Sequence, residues 1–171
     1  ETGDISWVLG NIDSLDLSGY KFDVAILGEI IEHCAYPEEI LERASAAVKP
    51  GGYLILTTPN GALINSRLPT FSQVSTREAR KYFVDRQFGP SGEDHLFLFK
   101  LEEIKFIVPK NVKVVERGYL GGTVLVNKYS FHLLKIFPVR LVSYFVRVLS
   151  KIPLINRATF INIYAVLQKE T

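Results

Sequence analysis

The chain has no methionine, one cysteine and one tryptophan. A lone thiol, Cys34, excludes an internal disulfide and fits a reducing compartment, so a cytoplasmic setting is expected. No stretch approaches the roughly 20 apolar residues that a membrane-spanning helix needs. Residues 1–20 have neither a basic start nor an apolar core segment, so no secretory signal is expected. Repeats and low-complexity tracts are missing too. Acidic residues vanish from one long region: Gly118 to Gln168 holds six basic residues and no acidic one. Residues 1–60 are the reverse, with ten acidic and three basic. Either half reads by default as a solvated face. No interleaving of aromatic and basic residues marks a nucleic-acid surface, so no DNA partner is expected. The 171 residues, 47% hydrophobic and 22% charged, suit one soluble domain with a sizeable core.

The most informative stretch is FDVAILGEIIEHCAYPEEILERASAAVKPGGYLILTTPN, from Phe22 to Asn60. Its first seven residues are nearly all apolar, as in a strand buried on both faces of a parallel sheet. Ile40, Leu41, Ala44, Ala47 and Val48 recur at helical spacing. Pro37 suits a first helical turn, and Glu38 and Glu39 suit the positive end of its dipole. Lys49-Pro50-Gly51-Gly52 reads as the stop, and Tyr53–Thr58 as a second buried strand. Strand, helix and strand together predict a βαβ unit.

FDVAILGEIIEH followed by KPGGYLILTTPN resembles the second half of the class I S-adenosylmethionine-dependent methyltransferases. Within them the pair looks most like the branch holding the ubiquinone-biosynthesis O-methyltransferases. The resemblance implies an α/β, Rossmann-like sheet, mostly parallel, with an antiparallel last strand and helices on both faces. It also implies S-adenosyl-L-methionine as cofactor. The family's glycine-rich loop after its first strand has no counterpart, since Gly118, Gly121 and Gly122 come far too late. The expectation is therefore the C-terminal part of one methyltransferase domain, without the first two strands and inactive on its own.

Several residues take roles from this resemblance. Ile5–Leu9 would be a strand, and Asn11 and Ile12 after it match the positions that meet adenine; an ordinary Asx turn is the plainer reading. Gly28, with Leu27 before it, matches the contact to the cofactor's methionine part; the plainer reading is a strand-end glycine with an unusual backbone angle. In Glu29-Ile30-Ile31-Glu32-His33, a helical turn would put Glu29, Glu32 and His33 on one face. Some relatives hold a divalent ion with E-x-x-E-H, so Mg²⁺ or another divalent cation such as Mn²⁺ is implied, with His95 as a further ligand. Otherwise Glu32 caps or pairs and His33 packs at the cleft edge. His95 is also a candidate general base.

Thr76–Phe83 predicts a helix capped by Thr76, in a region that forms part of the substrate lid in relatives. Leu101–Val108 predicts a short helix; Val112–Tyr119 and Phe160–Gln168 predict strands. Between those strands, residues 131–152 predict an inserted amphipathic helix. Arg140, Ser143, Arg147 and Lys151 form a basic stripe on it, opposite Leu141, Val142, Phe145, Val148, Leu149 and Ile152. It suits packing on the domain, a homodimer interface or peripheral contact with an anionic membrane. The implied function is methylation, most simply O-methylation, of a small-molecule, lipid-like or sugar acceptor. The rival is a degenerate, non-catalytic module that binds a partner or a membrane surface.

Overall fold

The computed structural model describes residues 8–10, 14–17, 19–64, 66–87, 95–123, 135–149 and 152–171. Four strands form one mixed sheet in the order β1-β2-β4-β3. They are β1 (Phe22–Gly28), β2 (Val48–Pro59), β3 (Val112–Thr123) and β4 (Phe160–Lys169). β1 and β2 are parallel; β4 is antiparallel to both β2 and β3. This is the expected α/β class, with parallel pairing that turns antiparallel at the last strand. Val8 and Leu9 are exposed and not in a strand, while residues 5–7 lie outside the described residues.

Helix α1 (Pro37–Ala47) provides the crossover from β1 to β2, with Pro37 in its first turn beside Glu38 and Glu39. Its predicted inner residues Ile40, Leu41, Ala44 and Ala47 are all buried. β2 begins directly at Val48, earlier than its sequence suggests. Phe22 pairs with Val48 and Val24 with Tyr53, so an irregularity in the ladder absorbs Lys49–Gly52. Proline and two glycines read as a turn, but here they sit inside a strand's span. A Cβ on Gly52 would lie 2.7 Å from Val48 Cγ1 and 2.8 Å from the Asp23 carbonyl oxygen, so only glycine fits.

The core covers one face of the sheet. Leu54 and Leu56 of β2 and Ile163, Ala165 and Leu167 of β4 alternate inward and are fully buried. Each of the leucines and the isoleucine contributes about 1.5–3 kcal/mol. α1, a 3-10 turn at Leu101–Phe106 and the rings of Phe71, Phe97 and Phe99 complete this core. Two expectations change here. Among the described residues the core lies on one face only, and β1 is not buried on both. Phe22, Val24 and Ile26 are exposed, Ile26 at 72%, whereas Leu27 is buried. An apolar run shows that a strand can be covered, not that the described residues cover it.

Two short helices follow β2. α2 (Arg77–Lys81) is capped as predicted, Ala79 N–H donating to Thr76 Oγ1; α3 (Val84–Gln87) comes next. The late linker holds α4 (Val139–Leu149), as expected, and α5 (Pro153–Thr159), which the sequence reading did not separate from it. Residues 131–134 and Lys151 lie outside the described residues.

Candidate functional site

Gly28 ends β1 opposite Thr57 of β2. This is the carboxyl end of the parallel pair, where ligands approach such sheets. Gly28 does not have the left-handed backbone that would call for glycine; among the described residues those with positive φ are Glu29, Gly51 and Gly121. A Cβ at residue 28 would meet nothing nearer than Thr57 Oγ1 at 3.9 Å. Neither backbone angle nor packing against the described residues requires glycine here, and those residues leave the space before it open. Leu27 is different: its side chain is buried in the core. Only its backbone faces the same end of the sheet.

Glu29 turns the chain away from the strand. Its φ of 52° is sparsely allowed for a residue with a side chain. Its N–H donates to the Thr57 carbonyl at 3.0 Å. Asn162 Nδ2 reaches Glu29 Oε1 only at 3.5 Å, on the exposed surface. The expected face of Glu29, Glu32 and His33 therefore does not form. Helical spacing holds only for the 3-10 turn Ile31–His33, and the left-handed backbone of Glu29 itself, two residues before that turn, sends its side chain elsewhere. Glu29 is outside the group that converges.

That group is Glu32, His33 and His95, whose potential ligand atoms lie within 4.8 Å of one another. Ile31, fully buried, anchors the turn and carries Glu32 inward. Glu32 is itself completely buried. Its Oε2 accepts a hydrogen bond from Thr58 Oγ1 at 2.9 Å, and its Oε1 has no hydrogen-bond partner among the described residues. His95 Nε2 is 4.0 Å from that Oε1. The rings of His33 and His95 meet edge to face at 4.7 Å, and His33 Nδ1 is buried without a hydrogen-bond partner among the described residues. The backbone fixes His95 in place: Leu96 N–H donates to the Glu32 carbonyl at 2.9 Å. Phe97 and Phe99, both buried, anchor the segment that follows. Burial pushes the Glu32 carboxyl up to about 7, against hydrogen bonds from its backbone surroundings and from Thr58, with a small push from the Glu29 charge.

The structure thus brings together Glu32, His33 and His95, on the side of the sheet where Gly28 lies. Asn11 and Ile12 lie outside the described residues, as do residues 88–94 of the expected lid. Two residues escaped the sequence reading. Thr58 continues the inward register of Leu54 and Leu56, and a polar residue in that register signals a buried partner. Asn60 is buried and donates through Nδ2 to the carbonyls of Arg157 and Phe160. It therefore ties α5 to the end of β2.

A family model described as a methyltransferase domain matches residues 6–110. A candidate methyltransferase from Bacillus halodurans C-125 superposes with a TM-score of 0.53 at 15% identity, over 98% of this chain and 78% of that one. A candidate methyltransferase solved with the Haloferax volcanii Trm112 activator gives 0.53 at 16%, over 100% and 64%. The plantazolicin methyltransferase BpumL, solved with a triazolic desmethylPZN analogue and S-adenosylhomocysteine, gives 0.50 at 14%, over 96% and 58%. At such identities these structures show the fold alone, and this chain spans only part of each. No curated protein matches it. The fold is that of the class I S-adenosylmethionine-dependent methyltransferases, and the chain belongs to the methyltransferase domain family.

Proposed function

We propose that the protein transfers a methyl group from S-adenosyl-L-methionine to an oxygen of a small, lipid-like or sugar acceptor, as in the ubiquinone-biosynthesis O-methyltransferase branch. One observation carries this: Glu32, His33 and His95 converge at the end of the sheet where Gly28 leaves open space. The cofactor supplies an electrophilic methyl group on a sulfonium. Gly28 and Leu27 offer backbone to its methionine part, and Asn11 and Ile12 match the adenine positions. The acceptor oxygen attacks the methyl carbon, and the C–S bond breaks with its electron pair left on sulfur. The acceptor's proton must go to a base, and His95 Nε2 is suited to take it.

The same trio fits a divalent cation, because Glu32 Oε1 and His33 Nδ1 are buried without hydrogen-bond partners among the described residues. Without Glu29 the set is two imidazoles and one carboxylate, which suits Mn²⁺ better than oxygen-loving Mg²⁺. A bound cation would lower the pKa of an acceptor hydroxyl. His95 would then be a ligand and not the base.

The chain is, in this reading, the C-terminal part of one methyltransferase domain. Support comes from the exposed apolar side chains of β1, Phe22, Val24 and Ile26. The test is label transfer from tritiated cofactor by the full-length protein to hydroxyl-bearing and amine-bearing acceptors, with and without chelator. Label on hydroxyl acceptors is expected. Label on amines alone would overturn the oxygen assignment.

A further inference from the structure

We propose that helix α4 lies in the plane of an anionic lipid surface. Leu141, Tyr144, Phe145 and Val148 follow the spacing of one helix face, and all four are exposed, Tyr144 at 62% and Phe145 at 57%. So large an apolar face on a short helix needs a cover. Arg140 and Arg147, also exposed, lie to one side of it.

Charge identifies the cover. The whole chain has 20 basic and 18 acidic residues. Gly118–Gln168 holds six basic and no acidic ones, so the remainder carries 14 − 18 = −4. The excess positive charge thus lies in the stretch of sequence that holds the exposed helix, whose own Arg140 and Arg147 are exposed, although Arg157 within it pairs with Glu102. A second copy would bring two such basic regions together with no acidic partner between them; anionic headgroups complement them instead. At 11 residues α4 is about 16 Å long. No helix among the described residues is long and apolar enough to cross a membrane, so α4 would rest in the interface. Tyr144, with an apolar ring and a polar tip, suits that depth.

α5 is the next helix in the chain after α4, and it is held to the segment that follows β2 by the Asn60 side chain, which donates to the Arg157 carbonyl, and by Ile64 N–H, which donates to the Ala158 carbonyl at 3.0 Å. A membrane-dissolved acceptor would then be presented near Thr58 and Glu32. That consequence rests on the methyl-transfer reading; the bilayer contact does not.

The test is co-sedimentation of the full-length protein with phosphatidylcholine vesicles, with and without phosphatidylserine, at low and high salt. Binding is expected only to the anionic vesicles and should weaken with salt. Arg140→Glu/Arg147→Glu/Lys151→Glu should lower it at least tenfold, and Tyr144→Ser/Phe145→Ser comparably, with thermal melting unchanged. Equal binding to neutral vesicles, unchanged binding by either variant, or a stable dimer that ignores vesicles would overturn the proposal.

Discussion

Glu32 and Thr58 share a hydrogen bond of 2.9 Å inside the core, and the other carboxyl oxygen of Glu32 has no hydrogen-bond partner among the described residues. One oxygen is thus anchored to β2 and the other is held ready beside two histidines. Thr58→Val keeps the shape and removes the donor. It should destabilise the protein by about 1–3 kcal/mol, the range for leaving a buried polar group without its partner. Denaturant unfolding measures this; an unchanged midpoint would mean that the bond carries no stability.

A second expectation concerns pH. The Glu32 carboxyl is held at about 7 in the folded chain, above its ordinary 4.5, first of all by burial. The folded state therefore keeps this proton where the unfolded state has lost it. Stability should be greatest below about 4.5 and fall as pH rises to about 7, by about 3 kcal/mol. Glu32→Gln should flatten that slope when unfolding is followed in chelator. A slope that survives the substitution would assign it to other groups.

Mn²⁺ should bind the full-length protein, with Glu32, His33 and His95 as ligands. Electron paramagnetic resonance of free Mn²⁺ reads this without turnover. His33→Ala and His95→Ala should each weaken binding at least tenfold, while Glu29→Gln should leave it unchanged because Glu29 stands apart. No uptake by the wild type would leave His95 as the base and remove the metal.

Arg80 should matter for stability rather than activity. Although it looks like a surface residue of α2, it is buried, with Nη1 2.6 Å from Glu38 Oε2 and its guanidinium 5.0 Å from the Phe71 ring centre. Arg80→Ala strips a nearly buried pair of one partner and should cost about 3 kcal/mol. A loss below about 0.5 kcal/mol would class it with ordinary exposed pairs.

Much of this was legible beforehand. The βαβ unit, the late antiparallel strands and α4 follow from apolar spacing and turn residues. Burial was harder to read: Ile26 and Leu27 are equally apolar, yet only Leu27 faces the core. Spacing also misled at Glu29. Three residues share a helical face only if the chain is helical throughout, and one positive φ separated Glu29 from Glu32. His95 shows what local reading cannot supply, because its partners lie more than sixty residues earlier. Only the resemblance connected them, and the structure gives the contact a physical basis in the Leu96–Glu32 backbone bond.

Cofactor binding at the Gly28 end of the sheet is tested most directly by calorimetric titration of the full-length protein with S-adenosylhomocysteine, comparing wild type with Gly28→Val. Space around residue 28 accepts a Cβ without a clash, so the variant should fold with unchanged stability. Its side chain would nevertheless fill the ligand's approach. The wild type should bind, and the variant should lose at least tenfold in affinity, about 1.4 kcal/mol. No binding by the wild type, or equal affinity in a correctly folded variant, would contradict it.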